Sequence, residues 1–215
     1  MTNSPFTLLR QRGIADSSRV AMVELFFDLV FVFAVTQLSH RLLEHLSLHG
    51  ALQTLLLFLA VWWLWIFTWW VTNWLDPDRT PHRMMLFAMM LGGVLLSSSI
   101  PQAFAERGLV FGAVFAAMQV GRTMFVAVTM RGHHRVLHEN FVRIAVWLMA
   151  SGAFWVAGGL ADGSARAGLW GAAHADTAVP ALGPAGLLPL AAGLVWGAFI
   201  VVNFTVKPDH VDGWL

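Results

Sequence analysis

Six long apolar stretches constrain the fold of this 215-residue chain more than any other feature of its sequence. A helix that crosses a bilayer needs about 20 mostly apolar residues. Each stretch is near that length and is apolar around most of its circumference instead of along one stripe. The stretches are Val20–Ser39, Gly50–Leu75, Met84–Ile100, Leu109–Met130, Phe141–Leu160 and Gly186–Val206. They predict an all-α, polytopic membrane protein with about six transmembrane helices.

The composition agrees with a membrane protein and excludes several other classes. Hydrophobic residues make up 58% of the chain and charged residues 12%, whereas soluble domains have about 45–50% and about 25%. A formal net charge of +1 offers no basic field to a nucleic acid, and the absence of cysteine excludes disulfides, thiol catalysis and Cys-ligated metals. We expect the lipid bilayer and a small ion or solute as partners, leave a homo-oligomer open, and expect no cofactor.

The distribution of Lys and Arg predicts the orientation, because short connections rich in these residues stay in the cytoplasm. Connections on the N-terminal side hold nine of them: Arg10, Arg12, Arg19, Arg79, Arg83, Arg131, Arg135, Arg143 and Lys207. The opposite side holds three, Arg41, Arg107 and Arg166. Both termini are therefore predicted to be cytoplasmic, with residues 1–19 and 207–215 as terminal segments around a bundle over residues 20–206. The Gly-, Ala- and Pro-rich residues 161–185 are predicted to form an irregular loop.

Three charged residues fall well inside the apolar stretches, where a charge needs a partner, a cavity or a proton. Glu24 and Asp28 are four residues apart and share one face of the first helix. Arg122 lies on the fourth helix, and both it and Asp28 lie roughly 12 Å from the predicted cytoplasmic ends. The sequence therefore predicts that Asp28 and Arg122 can meet. They are either a structural pair or part of a site in which two acids share one base and one carboxylate holds a proton or cation.

Other polar, aromatic and small residues of the apolar stretches have a structural and a functional interpretation. Asn73 and Gln119 add polar groups at reachable depth, on the second and fourth helices. Helix packing is favoured over cation binding for the two tryptophan stripes of the second helix, Trp62, Trp65, Trp69 and Trp63, Trp70, Trp74. Close approach of helices is predicted at the small residues Gly92, Gly93, Ser97, Ser98, Ser99, Gly112, Ala116 and Ala117.

Signals for metal binding or enzymatic chemistry are weak. His45 and His49, like His134 and His138, have a spacing that two metal ligands can use, but a zinc site needs at least three protein ligands. We therefore interpret these residues as solvated and expect no metal. The sequence has no nucleophile elbow or phosphate-binding loop, and we do not expect an enzyme.

Three segments in order resemble the bacterial low-temperature-requirement A (LtrA) membrane protein family. They are Arg19–His40, Thr72–Asp78 and Gln119–Thr123. The resemblance implies a polytopic protein of the bacterial cytoplasmic membrane, and it places these residues inside family motifs: Glu24, Asp28, Asn73, Asp76 and Arg122. The family name records a growth phenotype in the cold and implies no molecular activity.

The resemblance extends over about residues 10–160 and then stops. Family members are typically longer, and an expected later segment with a Gly-Glu-Ser run is missing here. A truncated or divergent member is therefore expected.

The leading hypothesis is transport or permeation of a small ion or solute, with Glu24 and Asp28 as the acidic site and Arg122 as the counter-charge. The first helix also resembles, over about twenty residues, that of six-span lysosomal and bacterial potassium channels, which favours ion conduction by fold-level analogy. The alternative is a structural or stress-adaptation membrane component in which Asp28 and Arg122 only hold helices together.

Overall fold

The computed structural model describes residues 22–72, 75, 79–131 and 135–182, and these residues form a bundle of α-helices. The helices are α1 (Met22–Glu44), α2 (Leu48–Thr72), α3 (Thr80–Ser99), α4 (Gly108–Met130), α5 (Arg135–Leu160) and α6 (Gly163–Leu182). A short 3-10 turn, Ile100–Gln102, begins the connection between α3 and α4. The predicted all-α membrane bundle is confirmed.

Five of the helices match the first five apolar stretches of the sequence. The segments that are long and apolar enough to cross a membrane are Val23–Glu44, Leu48–Thr72, Thr80–Gln102, Gly108–Met130 and Phe141–Leu160. Their ends differ from the predicted ends by up to five residues, because apolar composition marks the bilayer thickness and not the turn at which a helix ends. The sixth predicted stretch, Gly186–Val206, and both terminal segments lie outside the described residues.

The prediction of an irregular loop over residues 161–185 is wrong, because α6 occupies most of this range. Seven of its 20 residues are alanine, the residue with the highest helix propensity. The helix is also fixed by packing, since the buried Trp170 indole donates a 2.9 Å hydrogen bond to the Trp155 carbonyl of α5. A two-residue connection leads into α6, which begins at Gly163 with a positive φ of 56° and returns along α5.

This helix also changes the topology argument. A loop over residues 161–185 would keep the chain on one side of the membrane between the fifth and sixth apolar stretches. A 20-residue helix is about 30 Å long, which is enough to carry the chain from one side of the bundle to the other. The prediction that the C-terminus is cytoplasmic therefore no longer follows from the number of apolar stretches.

Glycines allow α4 and α5 to form the closest-packed helix pair of the bundle. A Cβ atom at Gly112 would collide with the Trp155 carbonyl oxygen, and one at Gly159 would lie 2.7 Å from the Cα of Leu109. The predicted close approach at Gly112 is thus confirmed. Ala116 contributes in the same way, since a Cβ at Gly152 would lie 3.2 Å from the Ala116 Cβ.

The outer surface of the bundle is apolar. Leu29, Val32, Met84 and Val128 are each exposed by 60% or more. Soluble monomers rarely expose large contiguous apolar surfaces. The outside of these helices is therefore suited to lipid, and polar side chains in the interior are the candidates for function.

Candidate functional site

Arg122 is the most completely enclosed charged residue in the described interior of the bundle. It lies on α4 with an exposed fraction of 1%. Its Nη1 donates to the carbonyl oxygen of Leu64 at 3.2 Å and to the Thr68 hydroxyl at 2.9 Å, both on α2. Its Nη2 donates to the side-chain oxygen of Gln119 at 3.3 Å, one turn earlier on α4. Arg122 therefore joins α4 to α2 through neutral oxygen atoms.

An aromatic ring provides the remaining contact of this guanidinium. The Cζ atom of Arg122 lies 4.9 Å from the centroid of the Phe67 ring, within the range of a cation–π interaction. Among the described residues, no carboxylate lies within ion-pair distance of Arg122. Its Nε atom is buried and has no acceptor there. Within the described part of the chain, this positive charge is thus held by dipoles and a ring.

Asp28 has a different partner from the predicted one. The indole N–H of Trp65 donates a 2.8 Å hydrogen bond to one carboxylate oxygen of Asp28. The other oxygen has no partner among the described residues. Both side chains are half-buried, and Glu24, also half-buried, lies one turn before Asp28 on α1. The carboxylate of Asp28 is therefore oriented by α2 and leaves one oxygen open.

The predicted direct pairing of Asp28 with Arg122 is wrong. Both residues are in the described part of the chain, and they form no ion pair there. The reason is the position of α2, which supplies the partners of both. Trp65 and Thr68 are three residues apart, so the side chains that bind Asp28 and Arg122 start from one face of α2. Each charged residue therefore has a partner on α2 in place of the other.

Of the other predicted site residues, Gln119 joins the Arg122 site and Asn73 is not described. Gln119 is 2% exposed, and its backbone carbonyl accepts a 2.9 Å hydrogen bond from the buried Thr123 hydroxyl. Asn73 lies outside the described residues, as do Trp74 and residues 76–78. The described site therefore consists of two groups, Asp28–Trp65 and Arg122–Thr68–Gln119, which both include a side chain of α2.

The described tryptophans of α2 have different surroundings. Trp62 and Trp69 are exposed by 41% and 43% on the outside of the bundle. Trp70 packs against Phe141 of α5, with ring centroids 5.9 Å apart. Trp65 differs from these because its N–H orients Asp28. Trp70 therefore packs between helices, Trp62 and Trp69 face the outside of the bundle, and Trp65 is the functional candidate.

Two buried arginines outside this site were missed by the sequence analysis. Arg41 donates to the Pro101 carbonyl at 2.6 Å and to the Gln53 side chain at 3.0 Å. Arg166 donates to the carbonyls of Ala103, at 3.1 Å, and Ala105, at 2.6 Å. Their guanidinium groups thus hold the connection between α3 and α4.

The exposed Arg107 donates to Ser98 at 3.1 Å at the same end of the bundle. Three arginines lie on the side that is predicted to face away from the cytoplasm, and all three contact the α3–α4 connection: Arg41, Arg107 and Arg166. The sequence contains one signal for these contacts, which is the location of the arginines. Lys and Arg are disfavoured on the non-cytoplasmic side of a membrane protein, so arginines found there are candidates for structural contacts.

The histidine pairs do not converge on a metal site in the described residues. His49 is hydrogen-bonded to Gln53 at 2.9 Å, and the Nδ1 atom of His138 lies 2.8 Å from the Ala127 carbonyl oxygen. Within residues 22–182, apart from the undescribed gaps, no group of three or more His, Cys, Asp or Glu side chains is placed to hold a metal ion. His134 lies outside the described residues.

Comparison with known proteins identifies the family. The model of the bacterial low temperature requirement A protein (LtrA) matches residues 19–211. The chain belongs to the LtrA family. The match continues beyond residue 160, so the expectation that the family resemblance stops there is wrong. Glu24, Asp28, Asn73, Gln119 and Arg122 all lie within the matched range.

A related protein gives no activity to compare. An uncharacterized protein of Rhizobium meliloti (strain 1021) is 41% identical over 155 residues, which cover 72% of this chain and 38% of the relative. The matched part thus spans well under half of the relative's length. No solved structure matches this chain.

Proposed function

We propose that this LtrA protein transports a small ion or solute, or allows it to permeate, across the bacterial cytoplasmic membrane. The observation that carries the proposal is the enclosed Arg122, bonded to Thr68 and Gln119 inside helices that are apolar outside. Polar and ionisable residues within membrane-spanning helices are costly and are associated with substrate and ion pathways. The proposed role requires no covalent chemistry on the solute.

Asp28 on α1 supports the same proposal. Its carboxylate is oriented by the Trp65 indole and keeps one oxygen free of described protein partners. Such an oxygen is able to accept a proton or contact a cation. The arrangement therefore offers an acidic group on α1 and a basic group on α4, each hydrogen-bonded to α2.

The test is flux through the purified full chain in liposomes. Dye-loaded vesicles would be challenged in turn with gradients of protons, potassium, sodium and nitrate. We expect one of these gradients to dissipate faster than in protein-free vesicles, and Asp28→Asn to slow it by about tenfold if the free oxygen takes part. Glu106→Gln, in an exposed connection, is the matched control and should retain full flux. Absence of flux with folded wild-type protein would contradict transport of these ions.

A structural role in the membrane is the second candidate, and one observation favours it. Arg41 and Arg166 show that this chain uses buried arginines to hold backbone carbonyls between helices. Arg122 performs the same task towards Leu64 on α2. If Arg122→Gln lost stability in proportion to these bonds and the wild type showed no flux, a structural or stress-adaptation component would be the better description.

A further inference from the structure

We propose that Arg122 and Gln119 form an occluded binding site for one small monovalent oxyanion of the nitrate or carboxylate type. This inference rests on the proposed function and names the substrate class of the same site. It follows from the hydrogen-bond donors of the site, from its charge, and from the way in which α2 covers it.

The donors of the site are only partly used. A guanidinium group has five N–H donors, and Arg122 makes three hydrogen bonds, two from Nη1 and one from Nη2. The Nε–H and one N–H of Nη2 therefore remain without an acceptor among the described residues. Nε and Nη2 lie side by side on one edge of the planar group, and a planar oxyanion can accept from such an edge through two parallel bonds.

Gln119 adds a third donor group beside this edge. Its side-chain oxygen accepts from Arg122, so its amide nitrogen is the atom available to a ligand. That nitrogen has no acceptor among the described residues, although the side chain is 98% buried. Gln119 and Arg122 are three residues apart on α4 and thus lie on the same face of the helix. The unused donors are therefore close together.

The charge of the site also favours an anion. Arg166, also buried, lies 3.6 Å from the carboxylate of Asp162, and Arg41 has Glu44 one turn later on α1. Arg122 has no such acid among the described residues. Buried charges are ordinarily paired, so a bound anion would supply both the missing counter-charge and the missing acceptors.

Helix α2 closes this site. Arg122 is bound to α2 through Leu64 and Thr68, whereas α4 packs most extensively on α5 and then on α3. Separating α2 from α4 therefore exposes the guanidinium and leaves the α4–α5 contacts at Gly112 and Gly159 in place. The described conformation is the closed state of the site, and movement of α2 away from α4 admits and releases the anion.

The test is equilibrium binding of potassium nitrate to the purified full chain in detergent, by calorimetry and by melting temperature. Ionic strength is held constant with potassium chloride, whose monatomic anion cannot accept the two parallel bonds of a planar oxyanion. We expect saturable binding of one nitrate per chain and a melting temperature that rises with nitrate. Arg122→Gln should abolish both effects, and Arg107→Gln, which removes an exposed charge, should preserve them.

A milder variant keeps the test decisive if Arg122→Gln does not fold. Gln119→Met retains the volume of the side chain and removes its amide donor, and should weaken nitrate binding by about tenfold. Wild-type protein without saturable nitrate binding would overturn the proposal, as would Arg122→Gln or Gln119→Met binding nitrate as tightly as the wild type does.

The inference and the proposed function can fail separately. Flux of a cation by wild-type protein that binds no nitrate would overturn the anion site and retain transport. Nitrate binding that depends on Arg122, in a protein that moves none of the tested ions, would retain the site and overturn transport.

Discussion

The indole N–H of Trp65 on α2 holds one carboxylate oxygen of Asp28 on α1 at 2.8 Å. This bond shows how an acid in a membrane-spanning helix is positioned with no base beside it among the described residues. Hydrogen bonds to a charged group contribute about 1.5–3 kcal/mol, and the bond gives Asp28 a fixed direction. The acidic group of the proposed pathway therefore depends on a tryptophan that the sequence alone suggests is only a packing residue.

Replacement of Trp65 by Phe should uncouple Asp28 from α2. The variant keeps a large aromatic ring and loses the N–H donor, so we expect a destabilisation of about 1.5–3 kcal/mol. The measurement is a denaturation curve in detergent for Trp65→Phe, Asp28→Asn and the double variant. If the bond is responsible, the two effects are not additive. Additive effects, or an equal loss in the exposed control Trp147→Phe, would contradict the bond's contribution.

The contact of Gly112 with Trp155 predicts opposite effects of two glycine substitutions on α4. Gly112→Ala places a Cβ against the Trp155 carbonyl oxygen and forces α4 and α5 apart, so the free energy of unfolding should fall by about 1–3 kcal/mol. Gly121→Ala meets nothing within 4 Å and should stabilise α4 by up to about 1 kcal/mol. Melting temperatures in detergent compare the two. A neutral Gly112→Ala would show that the helices are not in close contact there.

The hydrogen bonds of Arg166 predict that the α3–α4 connection depends on α6. Arg166→Gln leaves the carbonyls of Ala103 and Ala105 without their donor. Because the Ala103 bond is buried and an unsatisfied buried group costs about 1–3 kcal/mol, we expect a loss of about 1–3 kcal/mol and faster amide exchange over residues 100–107. Arg107→Gln, at an exposed position, should change stability by less than about 0.5 kcal/mol. Equal effects of the two variants would contradict the proposed role of Arg166.

The orientation can be tested directly because the chain contains no cysteine. Intact cells that carry a single cysteine at one of the exposed positions Ala105 and Thr80 would be treated with a membrane-impermeant maleimide. The excess of Lys and Arg on the N-terminal side predicts labelling of Ala105→Cys in intact cells and of Thr80→Cys only after permeabilisation. The reverse pattern would show that the N-terminal side is not cytoplasmic.

The sequence predicts the parts of this fold that depend on the lipid bilayer. The apolar lengths of α1 to α5 follow from the thickness of the bilayer, and these five helices were predicted. Helix α6 was not, because its Gly, Ala and Pro content and its Arg166 and His174 do not resemble a membrane span. Its structure depends on packing of Trp170 against α5, which periodicity does not reveal.

The candidate site was predicted by residue and not by contact. The cost of buried charge singled out Asp28 and Arg122 correctly as interior or half-buried residues. Depth along a helix axis made a direct pair plausible, but it contains no information on which side chains of a third helix bind each residue. The rotation of α2 assigns Trp65 to Asp28 and Thr68 to Arg122.

The central claim is that the polar interior around Arg122 serves movement of a small ion or solute, and the most direct measurement is the flux of Arg122→Gln in liposomes. Vesicles should contain equal amounts of folded wild-type protein, Arg122→Gln and the exposed control Arg107→Gln, with folding checked by melting temperature. The account predicts flux at least about tenfold lower in Arg122→Gln than in the other two. Equal flux in all three would contradict it.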